Sequence, residues 1–197
     1  EGAREALKQA LAMGCEEAIL LNDPGFASAD TLVASAALAA ALKKLDPVDL
    51  AFFGRQAVDS DTGVTAAQVA RRLGWPSLTL VAAVVAVDPQ GRTIEVERML
   101  EETRQQVRAP LPAVVSVVKE IGEPRYPSFM GIRKASKAEI PVWTAADMGF
   151  TVPSPALTWP AVIAPPKAEA HCEMIGGDTP AAIAAALAAR LIPEKGL

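Results

Sequence analysis

The stretch from Asp49 to Trp75 constrains the fold most. Leu50, Ala51, Phe52 and Phe53 make a short apolar run, the pattern of a buried parallel strand. Gly54 ends it, a polar segment runs from Gln56 to Thr65, and helical spacing takes over near Thr65 or Ala66. A strand that feeds a helix through such a loop belongs in a parallel α/β sheet. The same unit suits an anion. Loop N–H groups and the positive end of the helix dipole converge on one point, and small residues let a backbone come close. Thr62, Gly63, Thr65 and Ala66 are the expected phosphate donors. Asp59 and Asp61 do not stand out as general acids; two carboxylates would repel a phosphate, so Asp59 is expected to face a ribose hydroxyl or a backbone N–H. The plain alternative is an ordinary polar loop between a strand and a helix.

The flanking segments extend this pattern. Ala3–Met13 reads as a helix stopped by Gly14, Ala18–Leu21 as a strand and Asn22–Gly25 as a turn. Ser28 or Asp30 can cap the next helix, whose face is expected to carry Thr31, Ala34, Leu38, Leu42 and Leu45. After Trp75-Pro76 the texture changes. Leu80–Val87 and Thr93–Leu100 read as strands joined by a turn at Asp88–Gly91, Thr103–Val107 as a returning strand, and Ala113–Val118 as a fully apolar one. From Gly122 to Pro166 periodicity fades and proline recurs, so this region reads as a functional segment or an extended arm, with the Pro-rich stretch 141–166 an extended strap or, alternatively, a disordered tail; Ala181–Leu191 is a last helix. The expected architecture is α/β: a mostly parallel sheet with helices on both faces, an antiparallel hairpin insertion and an extended C-terminal arm. The 197 residues divide into a nucleotide-binding domain at 1–147 and an arm at 148–197. The sequence starts inside helical periodicity without a Met, so upstream residues are expected.

Composition removes several classes. A net charge of -4 argues against general nucleic-acid binding. No apolar run reaches the ~18 residues of a spanning helix, so direct membrane insertion is not expected. Cys15 and Cys172 lack metal-ligand spacing and read as two reduced thiols of a cytoplasmic protein, with a lone disulfide as the alternative. The single His171 has only Cys172 beside it, so no metal site is expected. Neither a Ser-Gly-Gly pyrophosphate loop nor a nucleophile with its base is present, and no catalytic residue is assigned. Glu97, Arg98 and Arg104 read as salt-bridging residues.

Further anchors identify a family. Gly54-Arg-Gln-Ala-Val-Asp-Ser-Asp-Thr-Gly63 resembles the nucleotide loop of the beta subunit of electron transfer flavoprotein. Leu11-Ala-Met-Gly14, Val96-Glu-Arg98 through Pro112-Ala-Val-Val-Ser116, and Glu123-Pro-Arg-Tyr126 followed by Lys134-Ala135 fit the same pattern in the same order. Met174–Pro180 is similar to the C-terminal arm of bacterial members. The resemblance implies an adenine nucleotide hydrolase-like, Rossmann-like fold. It implies a heterodimer with an alpha subunit that holds most of the redox-active FAD. In this chain it implies AMP, or a second FAD as in the electron-bifurcating branch, held by Arg55, Gln56, Ala57, Val58, Asp59, Asp61, Thr62, Gly63, Val64, Thr65 and Ala66. Members often read Gln-Val-Gly-Pro after the Asp-Thr pair; here Val64, Ala66 and Ala67 replace the Gln and the Gly-Pro, adding a methyl at the phosphate loop. Thr65 offers a hydroxyl in exchange. The family's opening strand, which contributes nucleotide contacts, does not occur in this sequence.

The resemblance also implies a recognition loop for acyl-CoA or other flavin dehydrogenases, with a quinone oxidoreductase downstream, in the bacterial cytoplasm. Its residues here are Arg125, Tyr126, Pro127, Ser128, Phe129, Met130, Ile132, Arg133, Lys134 and Lys137. Phe129 takes the place of the family's apolar anchor, and an apolar anchor inside a charged rim is hot-spot anatomy. The bland alternative packs Phe129 into its own core. Rival readings are an adenine-nucleotide hydrolase or adenylating domain of the same general fold, and a structural partner without nucleotide.

Overall fold

The computed structural model describes residues 2–27, 29–158, 160–161, 163–167 and 172–195. Its elements are α1 (Gly2–Ala12), β1 (Leu20–Leu21), α2 (Thr31–Lys44), β2 (Leu50–Gly54), α3 (Thr65–Leu73), β3 (Ser77–Asp88), β4 (Thr93–Met99), β5 (Arg104–Pro110), β6 (Ala113–Val117), α4 (Phe129–Ser136), β7 (Val142–Trp143) and α5 (Pro180–Lys195). They form two compact units, Glu1–Thr158 and Trp159–Leu197. In the second, α5 carries Arg190, which pairs with Glu173 at 2.5 Å.

The main sheet has the order β2-β6-β3-β4-β5. β6 lies parallel to both neighbours, with Ala51 opposite Val114 and Leu78 opposite Val115. β3, β4 and β5 continue as an antiparallel meander. The α/β class expected from the sequence is the observed one.

Alternation on β6 divides the core in two. Val114 points to α2 and α3 and packs with Ala39, Ala66, Val69 and Ala70. Ala113 and Val115 point the other way, to Leu78, Val81, Ile94 and Val96. Both sides of one strand are therefore dry, as a central parallel strand requires. Burying a side chain such as Val69 or Ile94 contributes about 1.5–3 kcal/mol.

Three sequence expectations differ from the structure. Leu50–Phe53 is parallel but lies at the edge of its sheet, and Phe52 is 54% exposed. An apolar slot of about 540 Å³, lined by Leu38, Leu42, Phe52, Phe53 and Trp143, adjoins that edge. On α2 the closest packing belongs to Val33, Ser35, Ala36, Ala37, Ala39 and Ala41 rather than to the leucines. Small side chains let the helix backbone approach; Leu38 and Leu42 stay half-buried at its flank, and Leu32 and Leu45 are exposed. Lastly, the segment after Gly122 is not all irregular: it contains α4, and β7 pairs with β1 in a separate two-stranded parallel sheet.

Capping at α2 falls to Asp30; Ser28 lies outside the described residues. The Asp30 carboxylate accepts the N–H of Val33 (2.9 Å) and also those of Ala156 (2.7 Å) and Leu157 (3.1 Å). One buried side chain thus closes a helix and fastens a segment more than a hundred residues away. The Val33 N–H, aided by the two strap N–H groups, holds this carboxyl below its ordinary 3.8 against the opposing effect of burial. A depressed carboxyl takes up protons more readily in the unfolded chain, so its stabilisation is full above the unfolded value and disappears as pH falls through the folded one. The melting temperature is expected to drop below about pH 3.8. Asp30→Asn should start lower at pH 7 and show a flatter acid limb; acid limbs that superimpose would count against the cap as the sensitive group.

Candidate functional site

Parallel strands β2 and β6 end together, and the polar loop leaves from that end. Its backbone is unusual. Asp61 (φ 50°) and Gly63 (φ 62°) both adopt the left-handed region, two residues apart. Such alternation turns successive N–H groups toward one side, the geometry that cradles anions. The Gln56 amide donates to the Asp61 carboxylate, and the Asp61 N–H donates to the Ala57 carbonyl (3.0 Å), which closes the loop on itself. Asp59 accepts the N–H of Ser60 at 2.7 Å, one of the two roles expected for it. Val58 and Thr62 are exposed.

The loop delivers the chain to α3. Its cap position is Val64, which has no side chain able to accept a hydrogen bond, so the first-turn N–H groups of Thr65 and Ala66 lack a side-chain cap. Ala66 is buried against the core, which fixes the direction of the helix axis. Structure therefore brings Gly63, Val64, Thr65 and Ala66 together at an open helix N-terminus, with Asp59 and Asp61 engaged in bonds within the loop.

On the sheet side of Arg55 opens a cleft of about 920 Å³, bordered by Leu80, Met99, Leu100, Glu102 and Val118. It lies where β6 ends and the β4–β5 turn begins. Its floor contains a feature no sequence signal announces. β3 carries one residue too many between Leu78, opposite Val115, and Val81, opposite Val117. The excess is absorbed by a bulge in which Leu80 has φ 58°. A left-handed L-residue costs about 1–2 kcal/mol. Arg98, across the strand, holds the bulge: its Nε donates to the Thr79 carbonyl (2.7 Å) and its Nη2 to the Thr79 hydroxyl (3.0 Å). Of the three residues expected to form salt bridges, Glu97 and Arg104 do pair, while Arg98 serves the backbone instead. Nothing in the spelling Ser77-Leu-Thr-Leu80 predicts a bulge.

The second set of residues sits on different elements. Tyr126 (98%), Phe129 (80%), Met130 and Ile132 are exposed, and Pro127 is half-buried. The expected loop is largely a helix, because Ser128 caps α4 by accepting the Gly131 N–H at 3.0 Å. Gly131 meets the Ala12 carbonyl so closely that a Cβ there would collide with backbone. The helix is thereby pressed onto the end of α1 through its glycine and Ala135, and Phe129 and Met130 are left facing water. Arg125 lies against Gly14; Arg133, Lys134 and Lys137 ring the last turn, where cations also complement the helix dipole.

A protein-family model described as the electron transfer flavoprotein domain matches residues 1–148, a span that contains both residue sets. The chain belongs to the electron transfer flavoprotein family. It is of the beta-subunit type. It is 37% identical over 195 residues to the caffeyl-CoA reductase-Etf complex subunit CarD of Acetobacterium woodii, covering 96% of this chain and 72% of that one. It is 40% identical over 146 residues to an electron transfer flavoprotein subunit beta of Clostridium acetobutylicum, covering 74% of this chain and 55% of the relative. Protein FixA of Azorhizobium caulinodans is 36% identical over 151 residues, covering 75% and 54%. The chain thus spans about half the length of the latter two relatives. Among the described residues no helix is long and apolar enough to cross a membrane, and no group of three metal-ligating side chains occurs. His171 lies outside the described residues.

The contrast between Gly131 and Phe129 can be measured. Gly131→Ala should destabilise the fold by about 1–3 kcal/mol, because the added methyl forces α4 away from α1. Phe129→Ala should stay within about 0.5 kcal/mol, as expected of an exposed side chain. Urea unfolding of both variants provides the comparison; a large loss from Phe129→Ala would mean that the ring supports the fold.

Proposed function

We propose that this chain acts as the beta subunit of a heterodimeric electron transfer flavoprotein, holding an adenylate in its loop and docking electron-donating dehydrogenases on its α4 face. The observation that carries the proposal is the loop of two left-handed residues, Asp61 and Gly63, opening onto an uncapped α3. The phosphate of AMP would be received by the N–H groups of Gly63, Thr65 and Ala66 and by the hydroxyls of Thr62 and Thr65. Gln56, Ala57, Val58 and Asp59 would border the ribose, with Arg55 at the entrance.

In this role the chain makes and breaks no bonds. The flavin, held mainly by the alpha subunit, supplies the redox step, and the protein supplies binding and orientation. The exposed Phe129 and Met130, within the rim of Arg125, Arg133, Lys134 and Lys137, would meet an acyl-CoA or other flavin dehydrogenase. A shuttle needs fast release, so a small patch of this kind suits it. A membrane quinone oxidoreductase is the proposed acceptor, and the bacterial cytoplasm the proposed setting. The name of the Acetobacterium relative, a subunit of a reductase-Etf complex, supports a partner that acts on acyl-CoA.

Two measurements test the reading. Denaturing the purified heterodimer should release AMP in addition to one FAD. A second FAD in place of AMP would assign the chain to the electron-bifurcating branch, and an extract without any adenylate beyond the flavin would refute the loop's role. Phe129→Ala should slow reduction of the flavin by its dehydrogenase about tenfold, the cost of losing one anchor worth ~1.4 kcal/mol, with nucleotide content unchanged. The same rate should fall with rising ionic strength, because Arg133, Lys134 and Lys137 steer the encounter; a salt-independent rate would remove them from that role.

A further inference from the structure

Leu80 is the residue whose conformation the fold explains least. The other non-glycine residues in the left-handed region lie in connections, Asp61 in the loop and Arg92 in the tight turn between β3 and β4. Leu80 lies within a strand, beside a cleft that it shares with Arg55. Strain that persists inside regular structure needs something to hold it, and such strain gathers at sites where shape matters.

We propose that Arg98 is a positioning residue for the nucleotide site: its guanidinium clamps the Thr79–Leu80 bulge, and the bulge sets the cleft wall that Arg55 closes. This inference rests on the adenylate reading of the Arg55–Ala66 loop. The mechanical path is short. Arg98 fixes both oxygens of Thr79. Past the bulge, the Val81 carbonyl accepts the N–H of Val118 (3.0 Å), so the bulge determines where β6 ends. On the other side of β6 the Ser116 hydroxyl reaches the Gly54 carbonyl, at 3.4 Å, and Gly54 immediately precedes Arg55. A shift at Thr79 is thus passed through the end of β6 to the first residue of the loop. A planar fork is what this clamp requires, since two acceptors on one residue are engaged at once.

Leu80→Gly and Leu80→Ala both delete the side chain and differ only in the backbone they favour. Glycine accepts φ 58° without penalty, so Leu80→Gly should melt at least about 2 °C above Leu80→Ala. A glycine also lets the bulge wander, and binding must then order it again. Leu80→Gly should therefore bind AMP about tenfold more weakly than Leu80→Ala, the effect of re-fixing one backbone residue. Stability and affinity are expected to rank in opposite orders, whereas a purely structural role would rank them alike. Arg98→Ala should weaken AMP about tenfold, and Arg98→Lys, which keeps the charge without the fork, should not restore it.

Calorimetric titration with AMP of the purified heterodimer, freed of its bound nucleotide, paired with thermal melts, decides the matter. Equal AMP affinity in the two Leu80 variants, or affinity that follows melting temperature, overturns the clamp while leaving the loop reading intact. Full AMP affinity in Arg98→Lys overturns the fork requirement and the clamp with it. Failure of the wild-type heterodimer to bind AMP overturns the loop reading and this inference together.

Discussion

Everything in the main unit hangs on β6. Five residues, Ala113–Val117, are hydrogen-bonded along both edges by parallel neighbours, and the first four are buried. Because successive side chains point to opposite faces, one short strand nucleates two cores: the alanine-rich packing of α2 and α3 through Val114, and the aliphatic packing of the β3–β4–β5 meander through Ala113 and Val115. A polar substitution at Val114 would open the helical core, and one at Val115 the meander core. The candidate loop and the cleft also grow from the end of this strand, so site geometry and core packing share one support.

That support has to satisfy two incompatible neighbours. β3 starts as a parallel partner of β6 and finishes as an antiparallel partner of β4. A flat strand of twelve residues could not do both, because the meander must coil back to cover Ala113 and Val115. Extra residues in β3 solve the problem by increasing local twist, at Leu78–Val81 and again between Val81 and Ala86. Of these irregularities, the one beside the cleft is locked by a charged side chain, the next lies in the buried Val81–Ala83 stretch, and the last, between Val84 and Ala86, lies at the exposed end of the strand. Coiling alone would need no arginine. The lock implies that the position of the bulge matters as well as its existence.

Much of this was legible in the sequence, for physical reasons. The β6 strand announces itself because a strand buried on both faces has no room for alternation, and Ala113–Val118 shows none. The loop and α3 were readable because small residues and an abrupt change of hydrophobic period leave few alternatives. Identification of the family depended on several ordered motifs, none of which would have sufficed alone. What could not be read has equally specific causes. Asp30 looks like any helix cap; its grip on Ala156 and Leu157 is a long-range contact without a local signature. Helix α4 is only eight residues long, and its commitment to helix comes from the Ser128 cap and the fit of Gly131 against Ala12 rather than from periodicity. Phe52 was expected to be covered, because an apolar tetrad in a parallel sheet normally is; its exposure follows from the sheet edge, a property of neighbours. Leu80 was unreadable because leucine is an ordinary strand residue and its dihedral is imposed from across the sheet.

The two candidate surfaces are built on opposite principles, and that difference suits the tasks proposed for them. At the loop, polar groups are occupied with one another: Gln56 with Asp61, Ala57 with Asp61, Asp59 with Ser60. Such a loop is ordered before any ligand arrives, which lowers the entropic cost of binding a small anion and favours long residence. At α4 the cap bond is internal, the Gly131 N–H donating to the Ser128 hydroxyl, and Gly131 packs closely on the end of α1, while the apolar side chains of Phe129 and Met130 are exposed. A rigid helix that presents bare aromatic and thioether surface gains contact area quickly and loses it quickly, because no hydrogen bond has to break on release. The proposed retention of a nucleotide and exchange of a protein partner would therefore be compatible in one chain: the first would be pre-organised by internal bonds, and the second left open by their absence.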